Sequence, residues 1–180
     1  MKIYKTAIEG LLEIQPSVFE DARGYFSETF RADLLNQMGV NFDFVQDNES
    51  MSNKGVLRGL HFQAPPFEQG KLVRVIKGSV LDVAVDIRKG SSTYGQHVSI
   101  VLSGQNKKQF WIPPGFAHGF LVLEDQTIFS YKCTNYYNKQ SEGAILWNDP
   151  QLKIDWNITD PILSDKDKLA ETLSHFNSPF

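Results

Sequence analysis

A chain of 180 residues is the size of one ordinary domain and long enough to bury a substantial core. Its formal net charge of −3 argues against a nucleic-acid surface, and a single cysteine, Cys133, excludes an internal disulfide framework. No apolar run approaches the roughly 20 residues of a membrane span, and the N-terminus lacks the apolar stretch of a secretory signal, so a cytoplasmic protein with no membrane or nucleic-acid partner is expected.

In chain order, the first helical candidate is Arg31 to Met38, stopped by Gly39. The run from Val56 to Gln63 reads as strand-like and leads through Gln69-Gly-Lys-Leu-Val-Arg into two β-branched runs, Leu72 to Ile76 and Val80 to Ile87. Lys77-Gly78-Ser79 between them predicts a hairpin. The two-residue period places Val83, Val85 and Ile87 on one face of the second run and Asp82, Ala84 and Asp86 on the other. Further strands are expected at Val98 to Leu102, Gln109 to Ile112, Gly119 to Leu123 and Thr127 to Thr134. A last helix is predicted from an N-cap at Ser164 through Leu173. Many short strands with frequent turns point to an all-β sandwich or barrel, and no linker divides residues 1–180, so one domain is expected.

The chemistry concentrates in the strand-like stretch carrying Arg58, His61 and Lys71, followed by Asp82 and Asp86. Charges beside apolar strands are costly unless paired or used. His118 lies in Pro113-Pro-Gly-Phe-Ala-His, a turn that resembles the second sequence box of the cupin superfamily. That likeness implies a double-stranded β-helix, or jelly-roll, barrel with short peripheral helices. Many cupins bind metal through His-x-His plus a glutamate, but here the first box reads His61-Phe62-Gln63. Two imidazoles are a poor ligand set for zinc or iron, so no metal is expected.

An ordered set of motifs resembles the dTDP-4-dehydrorhamnose 3,5-epimerase family. They are Phe19-Glu-Asp-Ala-Arg-Gly-Tyr-Phe, Val45-Gln-Asp-Asn, Gly55-Val-Leu-Arg-Gly-Leu-His-Phe-Gln, Gln69-Gly-Lys-Leu-Val-Arg, Trp111-Ile-Pro-Pro-Gly-Phe-Ala-His-Gly-Phe, Tyr131-Lys-Cys-Thr-Asn-Tyr-Tyr and Ile145-Leu-Trp-Asn-Asp-Pro. The likeness runs from near Phe19 to Leu163-Ser-Asp-Lys-Asp. It implies a cofactor-free enzyme, commonly a homodimer, acting on a dTDP-4-keto-6-deoxyhexose. Hydrogens on C3 and C5 of such a sugar become acidic once the enolate is stabilised.

The resemblance implies His61 as base, Tyr131 as acid from the other face and Lys71 beside the developing enolate oxygen. Asp167 is implied as the partner of His61, with Asp165 two residues away as the alternative. It further implies substrate contacts from Arg23, Phe26, Glu28, Gln46, Asn48, Arg58, Lys71, Asp82, His118, Tyr137, Glu142 and Lys166. Guanidinium forks suit a diphosphate, and Tyr137 offers a face on which thymine can stack. Trp111 and Trp147 read as core residues. Three alternatives stay open from the residues: epimerisation at C3 alone or ketoisomerisation, a metal-dependent cupin, and a sugar-nucleotide-binding module without catalysis.

Overall fold

Thirteen strands carry most of the regular structure in the computed structural model, which describes residues 1–180. One sheet has six strands in the spatial order β1 (Lys2–Lys5), β2 (Leu12–Gln15), β10 (Gln109–Ile112), β7 (Lys71–Lys77), β12 (Thr127–Cys133) and β5 (Gln46–Ser52). The other has five, in the order β13 (Glu142–Ala144), β6 (Leu57–Gln63), β11 (Phe116–Val122), β8 (Ser79–Asp86) and β9 (His97–Ser103). All of these pairings are antiparallel. The expected all-β jelly-roll barrel is what the chain forms. A separate hairpin, β3 (Val18–Asp21) with β4 (Gly24–Ser27), joins neither sheet.

The two sheets enclose a core that includes Val73, Val75, Val80, Ala84, Phe110, Phe120 and Phe129. β8 is buried on both faces because its outer side is covered too. Val83, Val85 and Ile87 join Leu60 and Phe62 beneath Trp156, Phe176 and Phe180 of the C-terminal segment. Phe62 meets the rings of Phe176 and Phe180 edge-on, at centroid separations of 5.3 and 6.1 Å. On the outside of the six-stranded sheet, Leu12, Leu72 and Trp111 are covered by α1 (Ala32–Gln37) through Leu35. Trp111 is therefore core, as expected, and Trp147 packs partly buried on the outer cluster.

Two local expectations fail for identifiable reasons. β7 and β8 are not a hairpin; they lie in different sheets, and Lys77-Gly78-Ser79 carries the chain from one to the other. Gly78 has φ +79°, and a Cβ there would collide with Thr127, so the turn needs glycine without being a hairpin turn. α2 covers only Asp165–Lys168. Residues after Leu169 bond outward instead of continuing the helix: Leu173 N–H donates to the buried Asp149 carboxylate at 2.7 Å, and Glu171 C=O accepts from Leu146 at 2.8 Å.

Candidate active site

Strict alternation along β6 would send Arg58 and His61 to opposite faces. The register against β11 removes that conflict, because His118 pairs with His61 while Phe120 pairs with Arg58. Three steps on β6 match two on β11, so β6 carries a one-residue bulge at Gly59-Leu60, and Arg58 and His61 line the same cavity. The stretch that reads as a single strand is thus two strands in two sheets. β6 presents His61 from one wall and β7 presents Lys71 from the other.

The interior holds two connected spaces of about 370 and 220 Å³ that share His61, Lys71 and Tyr131. The outer one is walled by Gln46, Asn48, Gln69, Tyr137 and Glu142. The inner one is walled by Arg58, His118, Phe120, Phe129 and Asp167. A larger surface depression of about 720 Å³ follows residues 147–159. Its charges are Asp149, Lys153 and Asp155, and Asp149 is committed to the backbone N–H groups of Gln151 and Leu173. The titratable constellation belongs to the barrel interior.

His61 Nε2 lies 2.5 Å from Asp167 Oδ1, and Asp167 is 2% exposed. Burial raises the Asp167 carboxyl, but hydrogen bonds from His61 and Ser164 outweigh it and hold the group below the ordinary carboxylate range. An ionised carboxylate only accepts, so the ring nitrogen facing it is one that carries a proton. Asp165, the alternative partner, pairs with Lys168 at 3.4 Å on an exposed helix face. Of the two carboxylates, it is Asp167 that meets the His61 ring.

On the opposite sheet, Tyr131 follows Phe129 on the inner face of β12. Burial pushes its phenol above the ordinary tyrosine range, which keeps it a proton donor. Lys71 forms no ion pair within 4 Å, and burial lowers its ammonium below the ordinary lysine range, against the opposing pull of Asp82 and Glu142. Its cross-strand neighbour Cys133 is fully buried, which raises the thiol and leaves it neutral beside the ammonium. An ammonium buried on a partly exposed side chain, without a bonded counter-ion, is available to a charge that arrives with a ligand.

The remaining expected residues divide into three groups. Gln46, Asn48, Arg58, His118, Tyr137 and Glu142 stand on the cavity wall, and Lys166 reaches its rim through an ion pair with Glu142. Tyr137 OH also donates to Glu142, at 3.0 Å. Asp82 is withdrawn: fully buried, it presents both oxygens to His118 Nε2 at 3.0 Å and reaches the cavity only through that ring. Arg23, Phe26 and Glu28 are not brought to this cavity. Arg23 pairs with Asp21 at 2.5 Å, Phe26 is 69% exposed on the separate hairpin, and Glu28 lies 4.0 Å from Arg31.

Sequence reasoning missed Ser50, Phe120 and Phe129 on the wall, and Ser164, noted only as a helix cap. Parity could have found three of them, since Ser50 follows Gln46 and Asn48, Phe120 follows His118, and Phe129 precedes Tyr131. No group of three or more histidine, cysteine or acidic side chains is placed to hold a metal ion. Nor is any helix long and apolar enough to cross a membrane.

The family model for dTDP-4-dehydrorhamnose 3,5-epimerase matches residues 5–175. The dTDP-4-dehydrorhamnose 3,5-epimerase of Shigella flexneri is 52% identical over 168 residues, covering 93% of each chain. The Escherichia coli enzyme of the same name is 51% identical over 175 residues, covering 96% of this chain and 95% of its own. Among solved structures, a dTDP-6-deoxy-D-glucose-3,5-epimerase from Legionella pneumophila, in complex with dTDP-4-keto-L-rhamnose, superposes with a TM-score of 0.94. It is 52% identical, with 98% of this chain and 94% of that one covered. On its sequence, its fold and the arrangement within its barrel, this chain belongs to the dTDP-4-dehydrorhamnose 3,5-epimerase family.

Proposed function

We propose that the chain epimerises dTDP-4-dehydro-6-deoxy-D-glucose at C3 and C5 to dTDP-4-dehydro-L-rhamnose, a step of dTDP-L-rhamnose biosynthesis. The observation that carries this reading is the 2.5 Å contact of His61 with Asp167, facing Tyr131 and an unpaired Lys71 across one cavity. His61 takes the proton from a carbon α to the C4 carbonyl, and the C–H electron pair moves toward the keto oxygen. Negative charge then develops on that oxygen, and the Lys71 ammonium stabilises it more strongly than it did the neutral ketone.

Tyr131 returns a proton to the same carbon from the opposite sheet, and the ketone re-forms with inverted configuration. Repetition needs His61 deprotonated and Tyr131 reprotonated, and the same two groups serve both carbons. Asp167 steadies the imidazolium while it lasts. The buried carboxylate of Asp82 holds His118 beside the sugar. The reaction needs no electron transfer, and we assign no metal or organic cofactor to it.

Arg58 and Lys166 supply cations for the diphosphate, and Tyr137 stacks on thymine while Gln46, Asn48 and Glu142 bond to base and sugar edges. We assign Arg23, Phe26 and Glu28 to the cavity of a second copy in a homodimer. Support comes from the hairpin that carries Arg23 and Phe26 and that Glu28 directly follows, which joins neither sheet and leaves Phe19, Tyr25 and Phe26 at 63, 59 and 69% exposure. Residues 1–180 act as one catalytic domain, in the cytoplasm, where a nucleotide-activated sugar is made. The test compares His61→Ala and Tyr131→Phe with the unaltered chain. Both should lose turnover while retaining dTDP affinity, and full activity in both contradicts the assignment.

A further inference from the structure

Ser164 makes two hydrogen bonds to one residue. Its Oγ accepts the backbone N–H of Asp167 at 3.2 Å, which caps α2, and it donates its own proton to Asp167 Oδ2 at 2.7 Å. The cap needs only the first bond. The second engages the carboxylate oxygen that His61 leaves free, since His61 holds Oδ1. Ser164 also stands on the wall of the inner cavity, next to the dyad. A hydroxyl has a single proton, and here it is spent on the carboxylate.

α2 has only four residues and is too short to hold its own geometry without outside contacts. The carboxylate could otherwise rotate about its Cβ–Cγ bond and lose alignment with the imidazole. With one oxygen on His61 and the other on Ser164, it has one orientation. We propose that Ser164 is a positioning residue for the proton transfer, the third member of a Ser164–Asp167–His61 line. This inference rests on the reading of Asp167 as the partner of His61. The charged and titratable groups around the line are His61 and Arg58 on β6, Lys71 on β7, Tyr131 on β12, His118 of β11 paired with Asp82 of β8, and Lys166 of α2 paired with Glu142.

The test uses the full chain and the variants Ser164→Gly, Ser164→Ala and Ser164→Thr, with Asp167→Asn alongside. Glycine is tolerated at a helix N-cap far better than alanine, so Ser164→Gly removes the hydroxyl with little loss of helix stability. The expected result is a kcat lower by roughly tenfold in Ser164→Gly and Ser164→Ala, the scale of one hydrogen bond to a charged group. KM should stay within about twofold, and the acid limb of the kcat–pH profile should move, because the carboxylate facing His61 is no longer held in one orientation. Ser164→Thr, which keeps both bonds, should recover most of the loss.

A Ser164→Gly protein that folds and turns over like the unaltered chain overturns the proposal, leaving Ser164 a cap and nothing more. Loss in Asp167→Asn beside that result sinks the Ser164 inference alone. Full activity in Asp167→Asn sinks the reading of Asp167 as well.

Discussion

Gly59 of β6 lies backbone to backbone against Gly119 of β11: an ideal Cβ on Gly59 would collide with Gly119 Cα and sit 2.9 Å from His118 O. This contact is where the bulge turns both Arg58 and His61 into the barrel. Gly59 also has φ +131°, a conformation L side chains rarely adopt. Gly59→Ala should therefore cost at least about 2 kcal/mol of stability, with a loss of turnover larger than the unfolded fraction explains. Urea titration and a product assay on the folded fraction measure both. A variant within about 0.5 kcal/mol of the parent would show that the strand approach is not as tight as described.

Lys71 sets function against stability. Its ammonium is buried without a bonded counter-ion, and its folded pKa is lowered from the ordinary value of 10.5. Between the lowered value and 10.5 the unfolded chain binds more protons, so stability rises with pH across that window. Below it the buried charge is a constant penalty. Lys71→Met, which removes the charge at similar volume, should raise the melting temperature at neutral pH. The same change should lower kcat by about 10²–10³-fold, the range for loss of one donor to a developing oxyanion. A destabilised variant with intact kcat would contradict both halves.

Asp86 governs acid stability at a distance from the cavity. It is fully buried and accepts from Arg88 at 2.7 Å, Ser91 at 2.7 Å and Thr93 at 2.6 Å. Burial raises the carboxyl, but these bonds overcome it and bring it from 3.8 to about 2. A depressed folded value gives stability that is present above pH 3.8 and is lost as pH falls through about 2. Asp86→Asn should cost about 2 kcal/mol near pH 6, with the difference shrinking as pH falls from 4 toward 2. Urea midpoints measured at several pH values check this, and a difference independent of pH would contradict it.

Tyr137 is 56% exposed at the mouth of the outer cavity and is held by Glu142 at 3.0 Å. Tyr137→Ala should weaken dTDP binding by about tenfold, the scale of one lost base–aromatic stack. Because the ring stands at the cavity mouth and is assigned to the base, kcat should change little. Calorimetric titration with dTDP and steady-state kinetics separate the two quantities. A drop in kcat at unchanged affinity would place Tyr137 in the chemistry instead.

The strands were legible because they depend on local pattern, and ordered motifs pointed to His61, Lys71 and Tyr131, which the fold gathers around one cavity. Period-two alternation shows that Ala84 and Val85 face opposite ways, though both sides are buried here because the C-terminal Phe176 and Phe180 cover the outer face. The bulge was not legible. Placing Arg58 and His61 on one wall takes an extra residue at Gly59-Leu60, which alternation cannot announce. The Gly78 turn read as a hairpin because glycine at positive φ serves a sheet crossing equally well. Asp167 lies 106 residues from His61, so motif likeness pointed to it while only the fold distinguished it from Asp165. For Arg23 and Phe26 on the hairpin and Glu28 just after it, family likeness implied a ligand role and the isolated chain places them away from its own cavity.

The most direct measurement of the central claim is proton NMR of dTDP-4-dehydro-6-deoxy-D-glucose incubated with the protein in deuterated water. The account predicts enzyme-dependent entry of deuterium at both C3 and C5, abolished in His61→Ala. Exchange confined to C3, or exchange that survives in His61→Ala, would contradict it.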